Sequence, residues 1–321
     1  MTDNRRILVT GGNGYVGRQV VRRLCDSSDV CVIDNLRIGP MRFSESELRR
    51  IRFERADITS RSSVQAIVED FRPDAIIHLA AIHYIPECEQ EPAETLRTNV
   101  LGAMNMLLAA PTGSRFVYAS SGAVYKPDTH PHCEGTALLE PSDIYGLSKL
   151  QGEQYVRYIA SMRALSAVVV RLFNVVGPGE TNPHLVPEIV AQLKSGRTTI
   201  KLGNRWPKRD YIHVEDAARG FATVATAEAL AAGATVTVNL GTSQSYSVDE
   251  ILHKLRDIAQ IRFSLEEDSA RLRPVDRPVL IADTTQIRQR FGWKPSFTID
   301  DALRDLWREP DLAASLTAKY A

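Results

Sequence analysis

Along the first half of the chain, short apolar runs take turns with longer stretches that are apolar on one side only. Residues 5–10 (RRILVT) read as a buried strand, and after a glycine-rich turn the run VGRQVVRRLC has helical periodicity. The pattern repeats in VCVIDNL, in IRFERAD with the helix SSVQAIVEDF, and in DAIIHLAA with a helix from about residue 92 to 110. RFVYASS, a long helix from about 142 to 162 and the strand LSAVVVRLFNVVGPGE complete it. Strands alternating with helices predict an α/β fold on a doubly wound parallel sheet. Ligands meet such a sheet at the carboxyl ends of its strands, so Asp57, Ile58, Ala80, Ala81, Ser120 and Ser121 fall on one rim.

Beyond Gly177 the character changes to the Gly/Pro loop GPGETNPH, the helix LVPEIVAQLKSG, the strand TIKLGN and the segment PKRDYIHVEDAARGF. This mixed, proline-punctuated stretch predicts a smaller α/β lobe capping the sheet. Residues 235–242 look sheet-like again. The expected division is therefore residues 1–176 with returning segments at about 207–246 in the first domain, and 177–206 with 247–321 in the lobe.

Composition narrows the partners. The 321 residues carry 39 acidic and 39 basic side chains without a block of either sign, which argues against nucleic acid or an anionic membrane and leaves small molecules or a second copy. No apolar run approaches ~20 residues and MTDNRR leads directly into the first strand, so a soluble cytoplasmic protein is expected. Cys25, Cys31, Cys88 and Cys133 have no ligand spacing, so neither metal nor disulfide is expected.

Two motifs suggest chemistry. In TGGNGYVG, Gly11 permits a tight turn, Gly14 lets backbone approach a pyrophosphate and Gly17 lets the helix pack close to the strand. Asp34 ends the second strand some twenty residues on, where a carboxylate accepts both ribose hydroxyls and repels a 2′-phosphate, favouring NAD over NADP; Arg37 nearby would soften that repulsion. In SDIYGLSK, Tyr145 and Lys149 are one helical turn apart, so an ammonium beside the phenol would lower its pKa and make a general base. Asp57 either bonds the adenine amino group or closes a strand-end turn. Asn99, a poor helix former, either meets solvent or faces inward and helps a water chain position Lys149; the inward reading is preferred.

With TGGNGYVG, IDN, ADI, HLAA, TNV, ASSGAVY, YGLSK, RLFNVVGPG, RDYIHVEDAA and RPVDRPVLIAD in order from about residue 5 to 307, the sequence resembles the extended short-chain dehydrogenase/reductases that modify nucleotide-sugars. The resemblance implies a Rossmann-type domain holding NAD, a C-terminal lobe for a nucleoside diphosphate sugar, UDP-linked by preference, and a catalytic Ser121, Tyr145 and Lys149. It places Gly11, Gly14, Tyr15, Val16, Gly17, Asp34, Asn35, Asp57, Ile58, Leu79, Ala80, Ala81, Asn99, Ser120, Tyr145 and Lys149 on the cofactor. On the substrate it places Ser121, Gly122, His83, Asn174, His184, Leu185, Leu202, Arg209 and Arg273. Leu202 stands where relatives often have an aromatic, which leaves the nucleobase open. His83 touches the sugar or is a packed loop histidine, and Lys126, where relatives usually have Gly, contacts the sugar or points to solvent, the latter being preferred. A homodimer is implied through the helices near Pro92 and Ser142, with Met104, Leu107, Leu108, Tyr155 and Ile159 as candidate contacts that core packing explains equally well.

Within the family, 4,6-dehydratases need an acid and a base after the catalytic serine, and here Gly122 and Ala123 follow it. Decarboxylating relatives usually keep a glutamate there, and reductases tend to use NADPH. Epimerisation at carbon 4 is the expected reaction. The rivals are a dehydratase or 4-keto reductase with its acid elsewhere, and a non-catalytic NAD-binding sensor.

Overall fold

The computed structural model describes residues 5–180, 182–228, 230–269 and 277–309. Strands β1 (Arg6–Thr10), β2 (Asp29–Asp34), β3 (Arg52–Arg55), β4 (Ala75–His78), β5 (Arg115–Ser121) and β6 (Ser166–Leu172) come first. They are followed by β7 (Asn174–Val176), β8 (Thr199–Leu202), β9 (Lys208–His213), β10 (Thr235–Leu240), β11 (Ser245–Ser247), β12 (Ser264–Glu267) and β13 (Val279–Leu280). The helices are α1 (Tyr15–Leu24), α2 (Glu45–Leu48), α3 (Arg61–Phe71), α4 (Ile85–Gln90), α5 (Pro92–Leu96) and α6 (Gly102–Ala109). Then come α7 (Ile144–Met162), α8 (Leu185–Lys194), α9 (Val214–Thr226), α10 (Val248–Ala259), α11 (Thr285–Phe291) and α12 (Ile299–Arg308).

Seven strands form one parallel sheet in the order β10-β6-β5-β4-β1-β2-β3, the doubly wound arrangement expected. Both faces are covered, which is why β1, β4 and β6 read as continuous apolar runs and not as alternating ones. Val20 and Val21 of α1, Phe221 of α9 and Ile287 of α11 pack on one face; Val64 of α3, Met106 of α6 and Val156 of α7 pack on the other. Strand order reverses between β1 and β4, and ligands bind at such a switch point.

Three expectations need correction. The sixth apolar run is not one strand: β6 ends at Leu172, Phe173 turns into a separate cluster with Val124, Tyr125 and Leu280, and β7 pairs with β9 in a second sheet. Segment 207–246 accordingly divides, with α9 and β10 on the large sheet and β9 and β11 in a mixed four-stranded one with β7 and β13. A third, two-stranded sheet pairs β8 with β12. The helix expected over 92–110 is interrupted by a π-helical turn, Arg97–Leu101, which carries Asn99. Among the described residues no helix is long and apolar enough to cross a membrane.

Candidate functional site

A cavity of about 1140 Å³ opens at the carboxyl ends of the strands and reaches into the smaller lobe. That exceeds the ~300–1,000 Å³ typical of one small-ligand site, so there is room for two ligands end to end. Of the residues singled out from sequence, Gly11, Gly14, Tyr15, Val16, Gly17, Asp34, Asn35, Ile58, Leu79, Ala80, Ala81, His83, Ser120, Ser121, Tyr145, Lys149, Asn174, His184, Leu185, Leu202 and Arg209 line it. Gly122 does not: it is buried in a short 3₁₀ turn against the Phe173 ring, and Ala123 faces the cavity instead. Arg273 lies outside the described residues.

The glycine turn fits a dinucleotide for steric reasons visible at each position. Gly11 has φ +69°, and a Cβ there would sit 2.8 Å from the Ala80 nitrogen; one on Gly17 would sit 2.1 Å from the Gly11 carbonyl oxygen. Helix α1 starts at Gly14 with no side chain capping it, so its first amides are left to a phosphate. Asp34 is held in place as its Oδ2 accepts from Asn13 N at 3.0 Å and its Oδ1 from Leu36 N at 2.8 Å. Arg37 is committed to Glu87. Asp57 closes a turn, accepting from the Thr59 amide and hydroxyl and from Asn35 Nδ2.

Helix α7 carries Tyr145 and Lys149. Asp143 caps its first turn, and Gly146 and Gly152 let it approach closely: a Cβ would lie 2.6 Å from the Ala123 carbonyl oxygen in one case and 2.0 Å from Tyr118 Oη in the other. Lys149 Nζ donates to the Ala119 carbonyl at 2.8 Å and stands 5.8 Å from the Tyr145 ring centre. Burial pushes Lys149 down to about 8. It pushes the Tyr145 phenol up, against a hydrogen bond with Ser121 that favours ionisation. The expected lowering of the phenol by Lys149 is thus absent in the protein alone, where loss of water dominates. Asn99 is buried and faces inward, where its amide bonds Ile82 N, Ile82 O and Ser148 Oγ. The π-turn aims it at the 82–84 loop.

Sequence reasoning missed three cavity residues and a neighbour, Asn182, that holds His83. Arg277, buried, donates to the carbonyls of Ala123 and Tyr125 and to Ser142 Oγ, and lies 3.6 Å from Asp143. It follows a Pro-Val-Asp stretch before a two-residue strand, too short to give any periodic signal. Arg42 and Glu180 belong to loops and line the wall, and Asn182 on the same loop donates to His83 Nε2 at 3.1 Å. Lys126 points outward and pairs with Glu140.

Fold and cavity together are those of a dinucleotide-binding α/β enzyme. The profile of the NAD dependent epimerase/dehydratase family matches residues 7–241, and the chain belongs to that family. It is 30% identical over 322 residues to UDP-glucose 4-epimerase of Corynebacterium glutamicum, covering 94% of each chain. It is also 30% identical over 243 residues to GDP-6-deoxy-D-mannose reductase of Pseudomonas aeruginosa, covering 72% of this chain and 78% of that one. Among solved structures, UDP-glucose-4-epimerase from Stenotrophomonas maltophila with bound NAD and formylated UDP-arabinopyranose superposes with a TM-score of 0.85 at 26% identity, covering 98% of this chain and 99% of that one. The UDP-glucose 4-epimerase from Thermotoga maritima with UDP-glucose gives 0.80 at 26% identity, covering 98% of each.

Proposed function

We propose that this chain is an NAD-dependent nucleotide-sugar 4-epimerase acting on a UDP-hexose or UDP-hexuronic acid. One observation carries the reading: Ser121, Tyr145 and Lys149 open on the same cavity as a dinucleotide turn and a second ligand wall, with no carboxylate at 122 or 123 to drive dehydration. Two acids that line the cavity near the trio are already engaged, Asp143 accepting from Gly146 N and Glu89 from Ile144 N.

The Tyr145 phenolate takes the proton of the sugar 4-hydroxyl through Ser121, whose hydroxyl receives that proton and passes its own to Tyr145 Oη. Lys149, with a pKa of about 8, is charged near neutrality and stabilises the phenolate before it accepts the proton. When bound, the nicotinamide supplies a reversible hydride acceptor for carbon 4. The 4-keto sugar turns about its diphosphate link before carbon 4 is reduced on the opposite face, with no net redox change. Arg209 and Asn174 hold the diphosphate, with Arg273 as a further candidate; α8, whose first turn has no side-chain cap, opens on the same cavity at His184 and Leu185. Exposed Leu96, Leu101, Leu108, Leu147, Tyr155, Tyr158 and Met162 on α5 to α7 and the π-turn support a homodimer through these helices. Leu107 and Ile159, offered from sequence as contacts, belong to the core.

The test is incubation with UDP-, GDP- and CDP-sugars without added dinucleotide, followed by NMR of the anomeric protons. Interconversion of 4-epimers is expected, and Tyr145→Phe should slow it by about 10²–10⁴-fold. A product lacking its 6-hydroxyl, or stoichiometric use of reduced cofactor, would move the assignment to the dehydratase or reductase.

A further inference from the structure

We propose that Glu153 is a positioning residue for the catalytic trio, fixing α7 against the end of β5 through Ser120 while Arg171 holds the carboxylate in place. The proposal rests on the site reading above. Tyr145, Lys149 and Glu153 recur every four residues on α7 and so share a face. They meet three consecutive residues at the end of β5. Tyr145 bonds Ser121, Lys149 Nζ bonds the Ala119 carbonyl, and Glu153 Oε1 accepts from Ser120 Oγ at 2.6 Å.

Glu153 is completely buried and Arg171 almost so. Arg171 Nε donates to Oε1 at 2.9 Å and Nη2 to Oε2 at 2.7 Å, and Arg157 Nη2 reaches Oε2 at 3.1 Å from the more exposed side. As a stability device such a pair is poor, because desolvating both ions offsets most of their attraction and well-packed apolar residues hold a helix to a sheet as firmly. A carboxylate does what a methyl cannot. It makes a short, directed, charge-assisted bond, and it takes the one proton of Ser120. Ser120 lines the cavity beside Ser121, so it presents only lone pairs to whatever binds there. The bond also sets the height of α7 one turn beyond Lys149. Misplacement of a reacting group by 1 Å can cost about 10²-fold in rate, so the stake is large.

Glu153→Gln keeps the volume but must turn its NH₂ toward Arg171 or Ser120, both of which donate at this position. The control is Val156→Ala, which opens a void in the core on the same helix without touching the strand end. Four proteins are compared, the parent, Glu153→Gln, Ser120→Ala and Val156→Ala, together with the Glu153→Gln/Ser120→Ala pair. Melting temperature, kcat and KM for the turned-over UDP-sugar, and the ¹³Cζ resonance of Tyr145 in ring-labelled, dinucleotide-free protein are recorded. Glu153→Gln should lose about 10-fold or more in kcat with KM within about threefold, and should shift the Tyr145 signal toward that of free tyrosine. Val156→Ala should lower the melting temperature and leave kcat and the signal in place. In the Ser120→Ala background Glu153→Gln should cost little more.

A kcat and Tyr145 resonance unchanged in folded Glu153→Gln would overturn the proposal, as would losses that simply multiply in the pair. If Glu153→Gln does not fold, Ser120→Ala must by itself reproduce the loss and the shift, and failure to do so is fatal. A parent that turns over no nucleotide-sugar refutes the function and leaves the positioning claim to be decided by the resonance alone.

Discussion

Lys149 is buried and Tyr145 half-buried, and desolvation opposes the charged form of each. For Lys149 this has a thermodynamic consequence. Its folded pKa of about 8 lies below the ordinary 10.5, so between these values the unfolded chain holds a proton that the folded one has released. Stability therefore rises with pH across that window, and the burden of charging a buried amine is fully present below it. Urea unfolding of the parent and of Lys149→Met should show the parent gaining on the variant from about pH 8 to 10.5. A constant gap would mean that Lys149 is solvated or permanently paired. Much of the residue-level chemistry is legible in sequence because spacing encodes it: Tyr145 and Lys149 on one turn, Asp34 after a glycine turn. What spacing hides is the balance of forces. That Lys149 spends a hydrogen on Ala119, and that Asn99 is occupied by Ile82 and Ser148, follows only from burial.

At the scale of elements, α7 lies nearer to β5 than an alanine at 152 would allow. Gly152→Ala would drive its methyl into Tyr118 Oη, a buried hydroxyl with no hydrogen-bond partner among the described residues. Overpacking of this kind costs about 1–3 kcal/mol. Denaturant unfolding should show that loss, and Tyr118→Phe in the same chain should recover part of it; no recovery would place the clash elsewhere. Tyr118→Phe alone should be neutral or stabilising, since an unsatisfied buried hydroxyl is removed. The strands and helices of the first domain are legible because both faces of a parallel sheet demand apolar runs. The break at Phe173 is not, because β6 and β7 are equally apolar and only the pairing partner changes. Nor is the π-turn at Arg97–Leu101, since one extra residue in a helix scarcely alters the pattern of Thr98, Asn99 and Val100.

For the whole molecule, the homodimer proposed above would be built on the outward face of α5 to α7. Tyr158 and Met162 are among its most exposed apolar side chains, at 68% and 66%. Substituting Tyr158→Glu together with Met162→Glu should convert a dimer into a monomer in sedimentation velocity, with folding intact because neither residue enters the core. A parent that already sediments as a monomer would rule the dimer out.

At one of the crossings between the two sheets Leu172 ends the first and Asn174 begins the second, with only Phe173, itself packed, between them. Tyr15 and Arg18 of α1 reach across to the carbonyls of Gly177 and Gly179, whose amide end Glu309 grips in turn. These three bonds tie the rim of the cleft across both sheets, so a guest that must turn over while bound can draw first on the space of the cavity itself.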